Sequence, residues 1–253
     1  MCAIPLPCRA GKSDMADTAP KLKKFYRDVS VAVGDTGHRI LLDGKPVRTP
    51  ARQFLAAPSM PLAEAIAGEW RRQDTYIRPE TMPLTKLANT AIDRVTAARA
   101  GVIAETVKLG ESDLVCYRAE APAELVARQS ARWDPLLAWL SERFGASLQT
   151  TQGIGFVTQP KDALGALARA VDVYDDFALA GFSVAAALTG SLVVALALAE
   201  EELDAEAAFA AAELDEAYQA ERWGRDAEAE ARLAGLKAEL MAAEQWLKLL
   251  RKS

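Results

Sequence analysis

From Phe177 to Ala199 the chain reads FALAGFSVAAALTGSLVVALALA, twenty-three positions without a charge. Such a stretch either crosses a bilayer or forms a helix enclosed by protein on every side. At about 1.5 Å per residue its length permits it to span a hydrocarbon core of roughly 30 Å. Its surroundings argue otherwise: Asp172, Asp175 and Asp176 precede it and Glu200, Glu201, Glu202 and Asp204 follow, so no positive-inside signal adjoins it. Tyr174 alone makes no aromatic belt. The interior holds eight Ala, two Gly, two Ser and one Thr against ten Leu, Val or Phe. Ser183, Ala187, Ser191, Ala195 and Ala199 form a small ridge beside a bulky ridge of Val184, Leu188, Leu192 and Leu196, a pattern suited to close helix packing. The expectation is a helix over 181–199 at the centre of a helical region. A membrane-anchored scaffold using residues 177–199 is the competing reading.

The rest of the chain supports a globular protein. Of its 253 residues, 51% are hydrophobic and 26% charged, and a net charge of −5 gives no reason to expect nucleic acid as a partner. Residues 25–60 alternate apolar and polar positions between Gly-containing turns (VSVAV, GDTG, HRILLDGKPVRTP), which predicts hairpins. After Pro61 the period becomes helical, and Pro79 and Pro83 interrupt it. Helices are expected near 85–97, 99–109, 122–144, 161–178, 181–199, 204–223 and 226–251, with Gly145 and Gly224 as stops and TQGIGFVTQ as a short extended stretch. The fold class is α+β: a small β-rich N-terminal domain (21–84) followed by a larger all-helical C-terminal domain (85–253). Residues 1–20 are read as a flexible tail. Three cysteines without a CxxC pair make a disulfide framework improbable, and the opening residues carry neither a secretory nor a transit pattern, so a cytoplasmic setting is expected.

Motifs for catalysis or cofactors are missing. One histidine, His38, beside a turn, and three scattered cysteines do not supply the ligands of a zinc site. No GxSxG, GxxxxGK[ST] or GxGxxG pattern occurs, and GIGF at 153–156 follows no clear strand. No cofactor or metal is expected. One carboxylate differs from its neighbours. With Leu203, Ala207, Ala210, Ala211, Leu214 and Tyr218 on a core face, Glu216 falls opposite among Ala205, Phe209, Ala212 and Ala220, where it can meet a donor on a partner. Its alternatives are an ordinary exposed glutamate, or part of a carboxylate-dependent enzyme site with Glu213. Trp70 in GEWRRQ and Trp133 in RWDPLLAWL are read first as core residues, with a binding anchor as the other possibility.

Seven segments in order carry a family resemblance: LDGKPVRTP (42–50), IAGEWRRQ (66–73), MPLTKLANTAIDRV (82–95), SDLVCYR (112–118), WDPLLAWL (133–140), LTGSLVVALAL (188–198) and LDEAYQAERWGRDAEAE (214–230). Together they resemble the Atp-twelve family of ATP synthase F(1) assembly chaperones, over about residues 23–250. The resemblance implies a non-enzymatic chaperone that holds the unassembled α subunit and prevents its aggregation until β subunits replace it; a monomer is expected. It also implies a β-rich N-terminal and a helical C-terminal domain. By this likeness the partner contact falls on Glu216 in the acidic segment and Trp70 maintains the fold; Glu213, Phe209 and Trp223 are expected to join the contact, and Trp133 the fold. EWRRQ and WGRD depart from common family patterns without touching Glu216 or Trp70. The Ala/Arg-rich usage points to a bacterial member.

Overall fold

The computed structural model describes residues 22–35, 37–224 and 226–251; the tail read at 1–20, with Cys2 and Cys8, lies outside them. Strands β1 (Val29–Gly34) and β2 (Gly37–Leu42) form an antiparallel hairpin in which Val29 faces Leu42 and Gly34 faces Gly37. Strands β3 (Lys45–Pro46) and β4 (Ala56–Ala57) both pair with β2, at Leu41–Leu42 and at His38–Arg39 respectively. Asp43 in the β2–β3 turn accepts the amides of Arg27 and Asp28 at 3.0 and 2.8 Å, bonds that hold its carboxyl below the usual range. His38, expected in a surface turn, is instead a half-buried strand residue.

Ser59 caps helix α1 (Met60–Arg71), which lays Leu62, Ala63, Ile66 and Ala67 against the sheet and core. Past the Pro-rich connector, α2 (Pro83–Thr90) runs through a π-helical turn at Ala91–Val95 into α3 (Thr96–Val107), which kinks at Ala98 (φ −139°, ψ 33°), the residue between the two helices expected at 85–97 and 99–109. The two-residue strand β5 (Tyr117–Arg118) precedes α4 (Ala123–Phe144), which ends at a left-handed Gly145. Within TQGIGFVTQ only Thr151–Gln152 is a strand, β6, parallel to β5. GIGF therefore does follow a strand, one too short to show a period.

The uncharged run is two helices. After α5 (Lys161–Asp172), α6 (Asp176–Thr189) stops at Gly190 in the left-handed conformation, and Ser191 starts α7 (Leu192–Ala199) by accepting the Val194 amide at 3.0 Å. The continuous 181–199 helix, and the straight ridges drawn on it, are corrected accordingly. At 1.5 Å per residue these helices are roughly 21 and 12 Å long, well short of a bilayer. No helix among the described residues is long and apolar enough to cross a membrane. All eight residues of α7 are buried, as expected of a helix with no face left for water.

Two tertiary contacts explain the break and the small residues. Asp113, fully buried, accepts from the Ser191 hydroxyl at 2.6 Å and the Val193 amide at 3.0 Å, so a distant carboxylate caps α7 a second time. In the C-terminal helix α10 (Ala227–Arg251), the indole of Trp246 lies so close to Gly181 that a β-carbon there would sit 2.5 Å from its Cδ1. Trp246 stacks on Phe177 at 5.8 Å and donates to its carbonyl at 2.7 Å. One apolar cluster extends from Tyr26 and Ile40 through α6 and α7 to Trp246, and the Ser59 hydroxyl donates to the Leu249 carbonyl.

Candidate functional site

The acidic segment is also two helices, α8 (Ala205–Ala212) and α9 (Leu214–Trp223), meeting at Glu213. The kink shifts the core face predicted for one continuous helix. Ala205, Ala208, Ala211 and Tyr218 are buried, whereas Ala207 is half-buried and Ala210 exposed. Ala205, placed on the outer face by the helical wheel, belongs to the core.

Helix α9 lies antiparallel along the first half of α4. The buried Trp133 donates from Nε1 to the Ala211 carbonyl at 2.9 Å, and Gln129 donates to Asp215 at 2.7 Å. Further out, Arg128 bonds both oxygens of Glu221 at 2.8–2.9 Å, and Arg222 reaches Glu124 at 2.6 Å. Both guanidinium groups lie over the Tyr218 ring, that of Arg128 at 5.2 Å and that of Arg222 at 4.5 Å from its centre. The polar framework that positions α9 is thus provided by α4.

The opposite side of α9 faces α10. Both oxygens of Glu216 accept from Arg232 Nη2, at 2.5 and 2.7 Å. The Arg232 guanidinium is held ionised chiefly by Glu216, with the charge of Glu213 adding to it. Glu216 remains 41% exposed at its side chain, so the pair is open to water. Trp223, seven residues on and hence on the same helical face, is 77% exposed. Phe209 is half-buried and packs against the core. The structure therefore brings Glu213 and Glu216 to one arginine, keeps Trp223 on the same side, and turns Phe209 largely inward.

Two clefts of about 520 and 570 Å³ open beside α2, and both are lined by Pro79, Lys86 and Thr90, not by Glu213 or Glu216. Among the described residues no three His, Cys, Asp or Glu side chains gather as metal ligands. Buried Cys116 has its thiol pushed up to about 12 by burial and then by the Asp113 charge, which leaves it unreactive.

Trp70 is half-buried and meets Tyr26 edge-on at 5.8 Å, and its carbonyl accepts the Tyr26 hydroxyl at 2.7 Å. Its neighbour Glu69, at helical spacing with Leu62 and Ile66, is 1% exposed and caps α2 from another helix. It accepts the Leu84 amide at 2.7 Å, and the Thr85 amide and hydroxyl at 2.8 and 2.7 Å. Burial raises its carboxyl pKa in spite of these bonds. Glu69→Gln turns an amide N–H toward those donors and is expected to destabilise the protein by about 1–3 kcal/mol, read by urea unfolding at neutral pH.

Comparison with known proteins agrees with this picture. Residues 23–141 match the model of the ATP12 chaperone protein family. The chain is similar to "Protein atp12, mitochondrial" of Schizosaccharomyces pombe, 24% identical over an alignment of 217 positions that covers 81% of this chain and 75% of that protein. Among solved structures, Atp12 from Paracoccus denitrificans is 39% identical with a TM-score of 0.86, covering 90% of this chain and 98% of that one. An aspartate-to-lysine variant of the P. denitrificans protein gives 38%, 0.85, 90% and 97% for the same measures. A putative chaperone from Agrobacterium tumefaciens is 43% identical with a TM-score of 0.87, over 90% of this chain and 86% of that one. The chain belongs to the ATP12 chaperone family, non-enzymatic chaperones of ATP synthase F1 assembly.

Proposed function

We propose that this chaperone binds the unassembled ATP synthase α subunit, acting as a monomer in the bacterial cytoplasm, and releases it when β subunits compete for the same surface. An α subunit outside the hexamer exposes interface that β normally covers, and large exposed apolar patches aggregate. A chaperone bound there protects the folded subunit by mass action, and moderate affinity lets β displace it.

The observation that carries the site is the Glu216–Arg232 pair beside Glu213. It is a half-exposed carboxylate already engaged by a guanidinium, on the same face of α9 as the exposed Trp223. A cationic group on α can share or take over Arg232's place, while Trp223 provides apolar contact area. Phe209 supports α8 from within, and Trp70 and Trp133 serve fold integrity through their packing against Tyr26 and Ala211.

Co-purification tests the partner: tagged chaperone is expected to retain α and not β, and retention of β alone would refute the assignment. Glu216→Lys tests the site. It places two cations together at an open surface, so the melting curve is expected to stay close to wild type while affinity for α falls about tenfold or more. Unchanged suppression of α aggregation by Glu216→Lys would remove Glu216 from the site.

A further inference from the structure

A polar cleft of about 510 Å³ opens where β5, β6 and α4 meet, lined by Arg118, Ser130, Asp134, Thr150, Thr151 and Gln152. Arg118 is unusual there. Its side chain is only 7% exposed and lies over the Trp133 ring at 5.1 Å. Nε donates to the Val115 carbonyl at 2.8 Å and Nη1 pairs with Asp134 at 2.9 Å, but Nη2 has no acceptor among the described residues. A buried donor left without an acceptor carries a cost that a bound group can relieve.

The charges of this cleft narrow what it can take. Asp134, 60% exposed at its side chain, already balances Arg118, which weakens the attraction for a free anion. Arg118 equally disfavours a cation. A neutral group with one acceptor and one donor fits the pair, and the commonest such group is the peptide amide, its C=O toward the guanidinium and its N–H toward the carboxylate. The hydroxyls of Ser130, Thr150 and Thr151 and the amide of Gln152 extend the same mixed donor and acceptor character.

The border of the cleft supplies what an extended peptide also needs. Strand β6 is paired only with β5, so its far edge is unpaired among the described strands. Directly after it, Gly153 is tied back by donating its amide to the Arg118 carbonyl at 2.9 Å. From this tether Ile154 and Phe156, two residues apart, project into solvent, the first fully exposed and the second 73% exposed. Large apolar side chains held out beside an open strand edge are an arrangement used for strand capture.

We propose that the Arg118–Asp134 cleft and the 151–156 loop capture an extended segment of the client α subunit, with its backbone amides on the polar pair and its apolar side chains on Ile154 and Phe156. The inference rests on the reading that α is the client, and it adds a second contact remote in sequence from Glu216.

The test uses hydrogen–deuterium exchange of the full-length chaperone with and without purified α, together with the Phe156→Asp variant, whose position is exposed and leaves the core untouched. Peptides covering 150–156 are expected to exchange several-fold more slowly with α bound, and Phe156→Asp to weaken binding about tenfold at an unchanged melting temperature. Stable binding of α with unchanged exchange over 150–156 overturns the capture proposal and leaves the client assignment standing. Failure of wild-type chaperone to bind α at all brings down both. Protection of the same peptides by inorganic phosphate alone, or by self-association of the chaperone at raised concentration, identifies a different occupant and equally overturns the proposal.

Discussion

Asp113→Ala is expected to destabilise the protein by about 2–4 kcal/mol at pH 7, although it removes a charge from the interior. The wild-type carboxylate accepts from Ser191 Oγ at 2.6 Å, Val193 N at 3.0 Å and Val115 N at 3.2 Å. An alanine offers no acceptor to any of these three donors. The start of α7 and the turn at Val115 then both lose a partner, and neither is reached by water. The same residue makes a pH signature. Burial outweighs the hydrogen bonds and pushes the Asp113 carboxyl up from 3.8 to about 6. The folded protein therefore takes up this proton before the unfolded chain does. The penalty of the buried anion is complete above about pH 6 and is relieved as pH falls toward 4, a span on the order of 3 kcal/mol for this group. The difference in unfolding free energy between wild type and Asp113→Ala should accordingly grow as pH is lowered from 7 to 4.5 in urea titrations. A difference that does not change with pH would show that Asp113 does not titrate in this window.

Gly181→Ala is expected to destabilise by about 1–3 kcal/mol, against the gain of roughly 1 kcal/mol that alanine brings to a helix interior. The added carbon would lie 2.5 Å from Trp246 Cδ1 and 3.2 Å from its Nε1. The indole is fully buried, stacked on Phe177 and hydrogen-bonded to the Phe177 carbonyl, so it has no free direction in which to retreat. Gly181→Leu should prevent folding. If the contact is the cause, combining Gly181→Ala with Trp246→Leu, which vacates that space, gives a combined loss smaller than the sum of the single losses by about 1 kcal/mol or more. Strict additivity in thermal melts of the four proteins would place the cause elsewhere.

These two contacts show why parts of the fold were readable and others were not. Hairpins over 25–60 were legible because alternation and DG-type turn chemistry are local. The helices from 122 and from 161 were legible because their stripes run for three turns or more. The split of the uncharged run at Thr189-Gly190-Ser191 carried a local signal too, a glycine suited to a helix stop followed by a serine suited to a cap, which hydropathy alone overrode. The split at Glu213 had no such signal, since nothing in AAELDEA breaks a helix; α8 and α9 follow different partners, the core on one side and α4 on the other. Glu69 and Asp113 look in sequence like two more carboxylates among thirty-five acidic residues, and only their burial sets them apart.

The candidate site divides in the same way. The acidic character of 200–230, the outward placement of Glu216 and the family pattern were present in the order of residues. The partnership of Glu216 with Arg232 and the cleft around Arg118 were not, because each joins side chains from elements that no sequence period relates. Composition and period establish which surfaces must be hidden, since water penalises exposed apolar area wherever it lies along the chain. Which buried carboxylate caps which helix, and which donor is left waiting for an acceptor, depends on distances of 3 Å between remote residues, and those exist only once the chain has packed.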